Sequence, residues 1–336
     1  MPTEAALSAS VPNLASKGWR IAIGGTTAFC LGEALQWKPT FLAAVIVVQL
    51  LAQLPAAPSF SAGLGILASL AAASVTALLI VNTLIDYPLI LIIVVGLVLF
   101  SLFWLNVQGR APLLTAFGPI LITVLPVIAT EAVAAATFFA ISLIQAVLIA
   151  VAVIWLAFAL FPEGTPHPPP RPQETPGAEQ AWRIALLDVA IVLPVVIVFL
   201  LFDLAHAVVT LVMVVTLVRQ QNLEMGKRSA GGLLLGNVLG GIAAIAAYLL
   251  IGAVPNFPFL VLTTLIVSLS FTHWLVQKPA LAPVFVIGLV TAFILLGGTL
   301  SPMQGEPATA SVQRLFYVFL ATLYIVVAFS LAKPRS

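Results

Sequence analysis

The chain has 336 residues, 62% of them hydrophobic and only 7% charged, with a formal net charge of +2. A soluble domain carries about 25% charged residues, so a water-facing globule is excluded and lipid is the expected solvent. No dense Lys/Arg cluster invites a nucleic acid, the single Cys30 allows no internal disulfide, and no HExxH, CxxC or phosphate-loop pattern points to a metal, a cofactor or an enzyme.

A membrane-spanning helix needs about 20 apolar residues. Residues 1–16 lack the positive charge and apolar run of a signal peptide. Beyond them, twelve apolar segments lie between charges, prolines and turn clusters. Six fall in the first half, at 19–35, 40–54, 61–82, 88–105, 112–130 and 133–161. Six follow in the second, at 183–202, 204–218, 229–253, 257–276, 280–300 and 311–331. The intervening "PEGTPHPPPRPQETPGAEQ" reads as an extended Pro-rich linker without a core of its own.

The first segment opens on Trp-Arg-Ile-Ala at 19–22, and the same four residues open the seventh at 182–185. Further stretches stay in step. "VIVVQLLAQ" (45–53) matches "VMVVTLVRQ" (212–220), "SAGLGILASL" (61–70) matches "SAGGLLLGNVL" (229–239), and "WLNVQGRAP" (104–112) matches "HWLVQKPAL" (273–281). Their shared order implies a duplication. Residues 1–161 form a first six-helix repeat, 162–181 a cytoplasmic linker, and 182–336 a second repeat. An even number of crossings per repeat makes the copies parallel about an axis normal to the membrane. The second segment of each repeat is short, about 15 residues or 22 Å, which is less than the hydrocarbon thickness of about 30 Å. Matching short segments in two halves point to a binding site.

Cytoplasmic loops carry excess Lys and Arg. With twelve crossings and the N-terminus inside, eleven of the thirteen basic residues are internal, and only Lys38 and Arg314 lie outside. If segments 40–54 and 204–218 were re-entrant loops, the bias would weaken. The expected fold is therefore all-α: a polytopic membrane protein of about twelve transmembrane helices, in two parallel six-helix repeats with both termini cytoplasmic.

Within this frame Arg20 and Arg183 stand at the cytoplasmic mouths of equivalent helices, with Trp19 and Trp182 as interfacial anchors. Asp188, in "RIALLDVAIVLP", lies inside the seventh segment. Intramembrane carboxylates tend to face a cavity or a partner, so Asp188 is the candidate for proton coupling. Arg183, five residues back and about 140° around the helix, is badly placed to neutralise it, which makes Arg20 the natural counter-ion. Arg20, Arg183, Arg228, Gln49, Gln53 and Asn237 are candidate substrate-binding residues, and Gln145 is a further polar residue in an apolar run. Gly232, Gly236 and Gly240, spaced by four, suit close helix packing. Glu33, Asp86, Glu131, Asp203 and Glu306 map to external ends. His206 and His273 are read as structural or interfacial.

The run "KRSAGGLLLGNVLGG" (227–241) resembles the pattern of the fusaric acid resistance and aromatic acid exporter superfamily, in which an Arg leads into a glycine ladder. Here these are Arg228, Gly231 or Gly232, Gly236 and Gly240, and "QWKPTFLAAVIVVQL" (36–50) is similar to the segment that precedes the ladder in that superfamily. The chain resembles a minimal relative without the large cytoplasmic domain, of the kind classed as a family of unknown function. The resemblance implies a multi-pass inner-membrane transporter that exports small, weakly acidic, aromatic anions on the proton-motive force. It also implies a periplasmic membrane-fusion adaptor partner, and self-association is a further expectation. No cofactor is implied. An anion channel and a non-transporting membrane scaffold or assembly factor are the competing readings.

Overall fold

The computed structural model describes residues 4–162, 177–202, 204, 208–219, 223–300 and 324. These residues are predominantly helical, without a strand among them. Eleven helices follow in order: α1 (Glu4–Leu35), α2 (Phe41–Gln53), α3 (Phe60–Leu84), α4 (Pro88–Val107), α5 (Pro112–Glu131), α6 (Val133–Leu160), α7 (Ala178–Leu201), α8 (Val208–Arg219), α9 (Leu223–Ala253), α10 (Phe257–Gln277) and α11 (Ala282–Leu300). Eight of them are long and apolar enough to cross a membrane: α3 to α7 and α9 to α11. The chain is thus a multi-pass helical membrane protein. The expected twelfth segment, 311–331, and most of the linker lie outside the described residues, except for Tyr324.

The helix starts have local causes. Proline sits in the first turn of α4 and of α5, where its missing N–H has no intrahelical partner to lose. α10 is capped by Asn256, whose side chain accepts a hydrogen bond from the Phe259 N–H at 2.8 Å. Hydroxyls and amides on the apolar helices bond back into their own helix, as Thr76, Asn82, Thr83, Ser101 and Ser142 do to carbonyls four residues earlier. That satisfies them where no water is at hand.

Four helices depart from the expected bounds: α7 begins at Ala178 rather than 183, α8 at Val208 rather than 204, and α1 and α9 depart further. α1 begins at Glu4, well before the apolar run at 19, and α9 begins at Leu223 rather than 229. α2 and α8 are short, at 13 and 12 residues. α2 starts at Phe41, after a turn in which Trp37 N–H bonds to Gly32 O at 3.2 Å, so the helix does not extend back to Trp37. Gly32 allows this turn to close, because a Cβ there would collide with the Thr40 backbone.

The chain divides into two compact units. One comprises residues 1–63, 145–170 and 231–315, and the other 64–144, 171–230 and 316–336. They do not coincide with the sequence halves 1–161 and 182–336. In the first unit α1 packs on α2, α10 and α11, α2 on α11, and α10 on α11. In the second, α7 packs on α8, α4 and α5, α8 on α5, and α4 on α5. Each unit thus joins the first two helices of one half to the fourth and fifth of the other.

Close contacts give the helix directions in the first unit. Lys17 meets Ala52, Gly24 meets Leu51 and Val47, and Gly32 meets Thr40, so α1 and α2 are antiparallel. Gly18 meets Val276 and Thr272 of α10, and Thr26 meets Ser268, so α1 and α10 are antiparallel too. Trp19 stacks on Phe161 and Gly24 meets Val153, which sets the end of α6 antiparallel to α1. Gly232 and Gly236 meet Val284 while Gly240 meets Gly288, so α9 and α11 run parallel.

Candidate functional site

α1 is 32 residues long yet is absent from the eight span-capable helices. Its run from Gly18 carries Arg20, Thr26, Thr27 and Glu33, too polar for a lipid-exposed surface. Protein covers it instead: Ile21, Ala22, Ala28 and Phe29 are fully buried, and Arg20 is 2% exposed. A polar helix sheathed by apolar neighbours concentrates chemistry in an interior that lipid cannot reach.

The polar groups of α1 face different neighbours along its length. At one end the Lys17 ammonium donates to the Ala52 carbonyl at 2.6 Å, and the Arg20 guanidinium lies over the Phe158 ring, 4.3 Å from its centroid. Midway, the Thr26 hydroxyl donates to Ser268 Oγ at 3.0 Å. One turn further, Cys30 Sγ lies 3.7 Å from Thr264 Oγ1. Near the far end the Thr40 hydroxyl donates to the Glu33 carboxylate.

On α10 the partners Thr264 and Ser268, and Thr272 beyond them, are buried and spaced by four. Each donates its one proton to the carbonyl four residues back, at 2.8–2.9 Å, so towards α1 they can only accept. The Cys30 thiol is therefore the donor to Thr264. Such a seam is a zipper between two helices, with its protons already committed, and it does not form a relay.

In the second unit the residue of interest is Asp188, 2% exposed on α7. Pro194 interrupts α7 six residues on, and α5, which packs on α7, contains Pro119 and Pro126. Thr123 bonds back within α5 by donating to the Pro119 and Ile120 carbonyls at 2.9 Å.

The two Trp-Arg-Ile-Ala copies have different surroundings. Trp19 and Trp182 are both exposed, at 47% and 43%. Arg20 is buried, whereas Arg183 is exposed, pairs with Glu179 at 2.8 Å and lies 5.9 Å from the Trp182 ring centroid. A solvent-side pair one helical turn apart is ordinary surface chemistry. Gln49 and Gln53 are exposed on α2, and Gln145 is half-buried on α6. Arg228 stands on α9, but its side chain lies outside the described residues, as do His206, Asp203 and Glu306. His273 is exposed beside Trp274 and 3.0 Å from the Gln277 amide nitrogen.

The glycine ladder forms one wall of a tight helix pair. A Cβ at Gly236 would sit 2.8 Å from the Val284 carbonyl oxygen, and one at Gly240 would collide with the Gly288 carbonyl and come within 2.7 Å of Thr291 Cβ. Gly232 faces Val284 less closely, at 3.3 Å. Inside this contact Asn237 is buried, and its side-chain oxygen accepts from Thr291 at 3.0 Å. Among the described residues no three His, Cys, Asp or Glu side chains gather as a metal site.

The α10 hydroxyls were not singled out from the sequence. Their signal, Thr-x-x-x-Ser-x-x-x-Thr within "TLIVSLSFT", is visible in retrospect as one polar stripe on an apolar helix.

A family model described as a protein of unknown function (DUF2955) matches residues 17–157. No curated protein and no solved structure matches the chain. The matched region runs from Lys17 in α1 to within three residues of the end of α6.

Proposed function

We propose that the protein is a secondary transporter, a duplicated six-helix membrane unit that exports small, weakly acidic aromatic compounds in exchange for protons. The observation that carries this reading is the burial of Asp188 and Arg20, each 2% exposed, in a multi-pass membrane protein. Ionisable side chains inside a membrane cost several kcal/mol and mark ion or substrate paths. Asp188 takes up and releases the proton, and Arg20 attracts the organic anion. The aromatic class of substrate rests on the resemblance of 227–241 and 36–50 to the exporter superfamily.

The duplication is supported by the matching pairings of α1, α2, α10 and α11 and of α7, α8, α4 and α5. Tyr324 donates to the Ile191 carbonyl on α7 at 2.7 Å, as Phe158 of α6 approaches Arg20 on α1. The family model, spanning α1 to α6, fits one such unit. Direction supports twelve crossings. α6 is antiparallel to α1, as it must be if every connection reverses the chain, whereas a re-entrant α2 would leave them parallel. Both termini then face the cytoplasm, in the inner membrane of a two-membraned bacterium, where a periplasmic adaptor would join the path.

Uptake of hydroxylated benzoates into inverted vesicles, monitored with a pH-sensitive dye, tests the proposal. Wild-type protein should accumulate substrate only with a proton gradient, Asp188→Asn should abolish accumulation, and Arg20→Gln should raise KM. Unitary currents that persist in Asp188→Asn would make the protein a channel. If no flux occurs and the cellular phenotype survives Asp188→Asn with Arg20→Gln, it is a scaffold.

A further inference from the structure

The α9–α10 face of the first unit carries an apolar groove of about 200 Å³. Its α9 wall is Ala243, Ala246, Ala247 and Leu250, and its α10 wall runs from Thr263 to Phe271, about 12 Å of helix at 1.5 Å per residue. The small α9 side chains make the hollow. Ser270, on the rim, has its hydroxyl committed to the Ile266 carbonyl at 2.8 Å.

The exposed face of α10 continues beyond the groove. Leu262, Ile266, Ser270, Trp274 and Lys278 follow one another at steps of four residues, all exposed, so they form one outward stripe. It changes from aliphatic to aromatic to cationic within five positions. The Lys278 ammonium lies 4.9 Å from the Trp274 ring centroid, so the last two members are in contact. Lys17 belongs to the same end, since its neighbour Gly18 meets Val276. Among the described side chains of this unit the one carboxylate is Glu33, near the opposite end of α1.

We propose that this stripe seats one anionic phospholipid, with an acyl chain in the Ala243–Ala247 hollow, the glycerol region against Trp274 and the phosphate at Lys278. The groove is too apolar to hold a charged solute along its length. The cation at its mouth, with no carboxylate opposing it among the described side chains of this unit, selects a headgroup of net negative charge. Trp commonly marks the headgroup level and basic residues favour anionic lipid. The groove is lined by neither Asp188 nor Arg20, and the assignment does not depend on the transport reading.

Native mass spectrometry of the full-length protein in detergent, with phosphatidylglycerol or phosphatidylcholine added, tests the assignment. Phosphatidylglycerol should be retained about fivefold more strongly, the effect of one cation near a charged headgroup, and Lys278→Gln should erase that preference. Ala246→Trp, at an exposed position, should lower retention of both lipids. Both variants change outward-facing side chains, and unchanged helical circular dichroism and elution volume would show that they fold. Equal retention of the two lipids, or a preference that survives Lys278→Gln, would overturn the proposal. So would full displacement by glycerol phosphate, which would mark a free-anion site. Lipid-free dimers lost in Ala246→Trp would instead assign the groove to a second copy of the chain.

Discussion

Substituting Gly240 by Ala adds one methyl group where α9 and α11 touch backbone to backbone. The new Cβ would collide with the Gly288 carbonyl and lie 2.7 Å from Thr291 Cβ, where ordinary contact needs 3.4–4 Å. Neither obstacle is the end of a flexible side chain, so the helices must separate by about an ångström. A gap of that size forfeits roughly a quarter to a half of the dispersion energy of each contact across the seam. It also strains the 3.0 Å bond from Thr291 to Asn237, and an interhelical bond of that kind contributes about 0.6 kcal/mol on average. Overpacking of this sort costs about 1–3 kcal/mol, against which alanine returns up to about 1 kcal/mol of helix propensity. The expected net loss is about 1–2 kcal/mol.

Gly231 and Gly252 lie on the same helix with nothing within 4 Å of an added Cβ, so Gly231→Ala and Gly252→Ala should be neutral or slightly stabilising. Unfolding of the three variants in mixed detergent micelles, followed by circular dichroism, gives the comparison. If Gly240→Ala matches wild type, or if Gly252→Ala loses as much as Gly240→Ala, steric closeness at the seam does not govern stability.

The two arginines of the repeated tetrapeptide should separate sharply. Arg20→Gln, which removes a desolvated contact with Phe158, is expected to cost about 2 kcal/mol, and Arg183→Gln less than about 0.5 kcal/mol; similar melting temperatures for the two would contradict the burial difference. A double-mutant cycle with Thr26→Val and Ser268→Ala should return a coupling of about 0.6 kcal/mol and no more than about 1.7, whereas zero coupling would show that the two hydroxyls do not bond. Cys30, 8% exposed, should resist maleimide in native membranes and react after denaturation. A cysteine placed at exposed position 61 in a Cys30→Ser background sets the reference rate, and equal labelling would place Cys30 at an accessible surface.

Much of the fold was legible because lipid imposes a length rule on every helix that crosses it. Ten of the segment boundaries drawn from charges, prolines and turn residues meet a helix end to within two residues in α2 to α6. The short second helix was readable because the Trp37–Thr40 turn and Pro55 bracket "FLAAVIVVQLLAQ". The glycine ladder showed itself by spacing alone, and α11 supplies the wall it faces. The α10 hydroxyls went unnoticed because Thr and Ser scattered through apolar helices are usually satisfied within their own backbone. Only their partners on α1 make them a seam.

The amino-acid order by itself determined that the chain lives in lipid, that it is helical, where α2 to α6 begin and end, and that its two halves share stretches in register. The tertiary structure alone decided which helices meet. It put the first two helices of each half with the fourth and fifth of the other, buried Arg20 while leaving Arg183 exposed, and closed α1 inside protein. In these helices nearly every face is apolar, so composition does not say which face meets lipid and which meets another helix. That choice falls to shape, to where a glycine lets two backbones touch and where a hydroxyl finds an acceptor across the gap.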